Sequence, residues 1–152
     1  TAKGETRYMN YESLADGGFA TGSMMGSGGF IVLDEDQCVV EHTYTLARFY
    51  RHESCGQCSP CREGTGWMEK ILKKIDMGKG SMADIDLLWD IQSKIEGNTI
   101  CPLGDAAAWP VAAAIRHFRD EFEWHVLNPD ECLRRNYGLA NYADSNNSIL
   151  VK

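Results

Sequence analysis

The sequence predicts a mainly α protein: a four-helix bundle preceded by the closing part of a small β-containing unit. Three observations lead there. Residues 1–33 are broken repeatedly by glycine and carry few helix signals. After them, apolar residues recur at helical spacing in four stretches that together span 34–126. The links between these stretches are short, as antiparallel neighbours in a bundle require. The last part, 127–152, loses the pattern and is expected to be an extended tail.

The chain has 152 residues, of which 43% are apolar and 24% charged, so it can bury one real core and is not disordered throughout. Its net charge of −7 and the lack of a Lys/Arg stripe argue against nucleic acid as a partner. Lys70, Lys73 and Lys74 fall on one helical face and read as its solvated side. No apolar run approaches the ~20 residues that span a bilayer, and no secretory leader is visible, so membrane insertion is not expected.

Each element has its own signal. Gly26-Ser27-Gly28-Gly29 precedes Phe30-Ile31-Val32-Leu33, which reads as a short buried strand. The glycine run comes before a strand rather than between a strand and a helix, so it reads as tight turns and not as a phosphate cradle. A first helix is expected from a cap at Asp34 or Asp36 to about His52, with Val39, His42, Leu46, Phe49 and Tyr50 on its apolar face. A second should start just past Cys61, bury Trp67, Ile71 and Ile75 with Met68 and Leu72 at the flanks, and close at Gly78. A third begins near Ser81, with Asp84 three residues on as a weak capping box. Ile85, Leu88, Ile91 and Ile95 line its core side, and Gly97-Asn98 ends it. A fourth follows Cys101, with Val111, Ile115, Phe118 and Phe122 as its stripe and Pro110 tolerated near its first turns.

The chemistry lies in the cysteines. Cys55, Cys58 and Cys61 are two residues apart from one another, and Cys101-Pro102 lies far downstream. A disulfide framework fits poorly, because the domain is not tiny and a bridge across a two-residue gap is strained. Four thiols can hold a cubane of iron and sulfide, with neighbouring corners served by C-x-x-C spacing and the last by a remote segment. Pro102 after Cys101 resembles the Cys-Pro ending of ferredoxin-type runs. The rival is a structural zinc site, which would make the chain a stapled adaptor. Zinc usually takes two separated pairs of cysteines, so three close together plus one distant favours iron–sulfur. Four thiols would close every iron, so electron transfer is the expected use and no catalytic residue is assigned.

The surroundings suit an anion. Cys61 and Cys101 stand near the starts of helices, whose free amides and dipoles attract negative charge. Arg62 adds a cation that can tune the cluster, or else pairs with Glu63 or Glu53. His52, three residues before Cys55, can tune it too or simply lie on the surface. Cys38 reads as a small buried apolar residue, Cys132 has no evident partner, and His117 and His125 read as ordinary helical residues.

His52-Glu53-Ser54-Cys55-Gly56-Gln57-Cys58-Ser59-Pro60-Cys61-Arg62-Glu63-Gly64 closely resembles the cluster loop of the NADH-binding flavoprotein subunit of respiratory complex I. The similarity continues through Ile95 to Cys101, Gly104-Asp105, Ala108-Trp109-Pro110 and Ile115 to Arg119, and upstream through Gly26 to Val32, covering roughly residues 8 to 126. The resemblance implies a β-grasp-like domain ending at residue 33, then a bundle over 34–126 that binds [4Fe–4S] on Cys55, Cys58, Cys61 and Cys101. It implies partners as well: a flavin- and NADH-binding domain or chain that reduces FMN, and further Fe–S subunits that accept the electrons. The implied location is the peripheral arm of a membrane complex, facing the mitochondrial matrix or the bacterial cytoplasm. The NADH and FMN part of that family has no counterpart in these residues, so the chain alone is not expected to oxidise NADH. The flavoprotein subunits of NAD-reducing hydrogenases and formate dehydrogenases share the loop and remain an alternative context.

Overall fold

The computed structural model describes residues 31–33 and 37–129. Four helices make up this part: α1 (Val39–Glu53), α2 (Ser59–Asp76), α3 (Met82–Ile95) and α4 (Leu103–Leu127). Each packs on its sequence neighbours, α1 also packs on α4, and α2 meets α4 across the centre. The chain runs up and down. One end of the bundle holds the C-termini of α1 and α3 with the N-termini of α2 and α4. The other end joins the start of α1 to the end of α4, and Gly78 to Pro129.

Ile31, Val32 and Leu33 form no strand, and Ile31 and Val32 are exposed. The expected buried strand is therefore corrected at these three positions, where no described segment pairs with the backbone. The rest of the expected β unit and the tail from 130 onward, Cys132 included, lie outside the described residues.

Cys38 caps α1, taking the Glu41 N–H on its Sγ at 3.4 Å. Asp34 and Asp36, the expected caps, lie outside the described residues. The buried stripe is Val40, Thr43 and Ala47, one position out of phase with the face expected from the larger residues. Small side chains let α1 approach the bundle closely, while Tyr44 and Tyr50 pack at the flanks and Phe49 is exposed.

α2 starts earlier than expected. Cys58 is its N-cap, and Pro60 in the first turn supplies a φ already suited to a helix. Cys61 thus lies within the helix. Met68, Leu72 and Ile75 are fully buried, whereas Trp67 is 52% exposed and does not belong to the core. Trp67, Ile71 and Leu87 instead line an apolar groove of about 630 Å³ between α2 and α3. Gly78, at φ +70, closes the helix in a conformation that a side chain would strain.

α3 matches its signals. The Asp84 carboxylate accepts the Ser81 N–H and hydroxyl, each at 2.7 Å, and Lys74 reaches it from α2. Ile85, Leu88, Ile91 and Ile95 are buried. α4 carries Pro110 inside and kinks at Phe118, whose φ of −132° is not helical. Val111, Ile115 and Phe122 are buried as expected, but the kink turns Phe118 out to 43% exposure.

Candidate metal centre

The cysteine loop is held from below by α1. Ser54 caps that helix, its N–H bonded to Tyr50 O at 3.0 Å, and its extended backbone sends the chain into the loop. Gly56 then turns at φ +76, a conformation costly for any residue with a Cβ. The Ser54 hydroxyl oxygen lies 3.3 Å from the Gly56 N–H that it accepts and 3.2 Å from Cys61 Sγ. Arg62 clasps the loop from the other side: Nη1 donates to Gly56 O at 2.9 Å, Nη2 to Ser59 Oγ at 3.3 Å, and Nε to Glu63 at 3.0 Å. Of the two acids expected to pair with Arg62, Glu63 does so, while Glu53 lies against an exposed His52.

The second segment follows α3. Gly97 N–H donates to Asp105 Oδ1 at 2.7 Å, and Trp109 Nε1–H donates to Glu96 Oε1 at 2.9 Å, so α4 pins the start of this connection. Thr99 packs on Gly104 and donates its hydroxyl to Cys101 O at 3.0 Å. Cys101 is thereby held just ahead of the start of α4.

The two segments meet. Ile100 N–H points at Cys58 Sγ, 3.4 Å away across 42 positions of sequence. Cys61 is buried, Cys58 half-buried, and Cys55 and Cys101 exposed. Among the described residues no three or more His, Cys, Asp or Glu side chains already stand together as a metal-binding group. The backbone segments are adjacent, but their sulfurs are not gathered around one point.

The donors nevertheless fit an anionic iron–sulfur group. Four thiols are the right ligand chemistry. The Ile100 N–H already aims at one sulfur, and the Ser54 hydroxyl stands 3.2 Å from another. No side chain caps the first turns of α2 and α4, which leaves amide donors at this end for an anion.

Comparison with known proteins decides the family. The model of the NADH-ubiquinone oxidoreductase-F iron-sulfur binding region matches residues 41–125. The chain belongs to this iron–sulfur binding family. It is 48% identical over 122 residues to an NADH-quinone oxidoreductase subunit of Rickettsia bellii (strain OSU 85-389), a match covering 80% of this chain and 28% of that protein. The NADH-quinone oxidoreductase relative of Rhizobium meliloti (strain 1021) is 45% identical over 118 residues, covering 78% of this chain and 26% of its own length. The chain thus spans little more than a quarter of the length of these curated relatives. Among solved structures, an NAD+-reducing [NiFe]-hydrogenase in its H2-reduced state superposes with a TM-score of 0.60 at 29% identity, covering 78% of this chain and 21% of that one. The four-helix architecture is therefore that of the family's iron–sulfur region.

Ser54, Thr99 and Asp105 hold the two loops of this family member, yet nothing in periodicity or cysteine spacing singles them out. Nor does the sequence reveal a second buried pair. Cys38 Sγ lies 3.1 Å from His125 Nε2, both residues 4% exposed, and joins the start of α1 to the last turn of α4. Cys38 is buried as expected, but it is a hydrogen-bond partner as well as packing, and His125 is helical as expected but buried and hydrogen-bonded. Burial pushes the nearby Glu121 carboxyl up, against the opposing pull of the Val39 N–H.

Proposed function

We propose that this chain holds one [4Fe–4S] cluster on Cys55, Cys58, Cys61 and Cys101. In this reading it relays single electrons from FMN, reduced by NADH on a flavin-binding domain or chain, to further Fe–S centres of a NADH:quinone oxidoreductase. When bound, the cluster supplies a site that takes up and gives back one electron. The chain's own residues do the rest. Arg62 holds the loop of three cysteines against α2, with its charge offset by Glu63. Asp105, Trp109 and Thr99 hold the Cys101 segment against α4. His52, out in solvent beside Glu53, is proposed for a weaker tuning role because water and salt screen interactions at an exposed position.

The observation that carries the reading is the contact of Ile100 N–H with Cys58 Sγ. It ties the remote cysteine segment to the loop of three, as any site that uses all four thiols needs, and the three-plus-one spacing then favours a cubane over zinc, which usually takes two separated pairs. The hydrogenase likeness supports the same relay in another assembly, but the higher identity to the NADH-quinone oxidoreductase relatives favours the quinone-linked context. That context puts the chain in the peripheral arm of a membrane complex. No described helix is long and apolar enough to cross a membrane.

Metal analysis of the purified assembly tests the proposal. About four iron and four acid-labile sulfides per chain are expected, with a low-temperature EPR signal on reduction. Cys101→Ser should abolish or cripple that signal while leaving the helical circular dichroism intact. One zinc in a colourless protein, or an unchanged signal in Cys101→Ser, overturns it.

A further inference from the structure

We propose that the Ser54 hydroxyl is the hydrogen-bond donor to the Cys61 sulfur that sets how readily the centre takes its electron. The proposal rests on the cluster reading above and assigns a tuning residue outside the four thiols.

The polarity of the contact follows once Cys61 is a thiolate bound to iron. Ser54 Oγ accepts the Gly56 N–H at 3.3 Å, which leaves the hydroxyl proton to point elsewhere. Cys61 Sγ, at 3.2 Å, receives it. A sulfur bound to iron has no proton of its own and can only accept. The Ser54 backbone is fixed on Tyr50 O at the end of α1, and the Gly56 N–H holds its hydroxyl oxygen on the loop side. Cys61 is only 7% exposed, so water competes weakly for its sulfur.

Three other side-chain donors of the two segments have partners other than sulfur. Thr65 Oγ1–H is spent on Cys61 O at 2.7 Å, Thr99 Oγ1–H on Cys101 O, and Arg62 on Gly56, Ser59 and Glu63. The Ser54 hydroxyl is in contact with the sulfur of Cys61. Cys58 has its donor too, but from the Ile100 backbone.

A hydrogen bond to a ligand sulfur draws off electron density and favours the reduced, more negative state, raising the potential. Reduction adds one electron from the reduced flavin proposed above. It makes or breaks no bond on this chain, and the electron leaves to the next Fe–S centre.

The test is a mediated redox titration, followed by EPR, of the assembly carrying the intact chain. Iron and labile sulfide are measured first. Wild type without iron would sink the cluster reading itself, independently of Ser54. With iron present, Ser54→Ala is expected to keep its iron and to shift the one-electron equilibrium toward the oxidised form about tenfold, or about 59 mV. Ser54→Thr, which keeps the hydroxyl, should return it to within about threefold of wild type. An unchanged midpoint in Ser54→Ala overturns the proposal. So does a Ser54→Thr midpoint no higher than that of alanine, or loss of iron from Ser54→Ala, which would assign Ser54 to holding the loop through Gly56 alone.

Discussion

A Cβ on Gly104 would stand 2.3 Å from Thr99 Oγ1 and 2.5 Å from its methyl. Thr99 is the residue that donates to Cys101 O, so this one missing side chain sets how the remote cysteine segment lies on α4. Gly104→Ala should therefore push Thr99 off its bond and cost about 1–3 kcal/mol by overpacking. Loss of iron to a chelator should quicken in step. Equal chelation rates in Gly104→Ala and wild type would show that the Thr99 contact does not matter to the site. At this scale the sequence is informative about chemistry and silent about support. Cysteine spacing singles out four thiols because metal geometry restricts spacing. The Ser54 hydroxyl and the grip of Arg62 on Gly56 O depend on how one loop turns, which no periodicity records. Cys38 and His125 are 87 residues apart, and only the finished bundle makes them neighbours.

Helices are legible where local chemistry and burial agree. α3 is such a case: Ser81 and Asp84 start it, and its four large apolar residues face the core. α1 is the opposite case. Its contact with the bundle runs through Val40, Thr43 and Ala47, and a stripe of small residues is invisible to a search for large ones. In α2 the large-residue pattern points to Trp67, which lines a groove instead of the core. The capping box allows a quantitative test. Burial alone would raise the Asp84 carboxyl, but hydrogen bonds from Lys74 and Ser81, with the Lys74 charge, together hold it below the usual range. An acid lowered in the folded state contributes stability above its unfolded value and loses it as pH falls through the folded one. Asp84→Ala is expected to cost about 1 kcal/mol at neutral pH, mostly from the cap, since Lys74 is half-exposed and solvent weakens that pair. The gap between wild type and variant should narrow below about pH 4, seen as converging urea midpoints. A gap constant down to strong acid would contradict the lowered carboxyl.

The bundle is polar in function along its length. Both cysteine segments sit at one end, and the Cys38–His125 and Ser81–Asp84 contacts sit at the other. Ile95 belongs to the first end: a Cβ on Gly64, one turn past Cys61, would lie 2.7 Å from Ile95 Cδ1. Phe122 belongs to the second, fully buried beyond the kink at Phe118 and one turn before His125. Core truncations at the two ends should therefore separate folding from site integrity. Phe122→Ala is expected to cost about 3–5 kcal/mol and Ile95→Ala about 2–5 kcal/mol, because each leaves a cavity that a close-packed interior fills only in part. Both should lower the denaturant midpoint. Only Ile95→Ala should also speed the release of iron under conditions where each variant stays folded, since it loosens α2 against α3 directly beneath the loop. Matched release rates in the two variants would mean that the bundle transmits strain along its whole length, and that the site is no more local than the core that carries it.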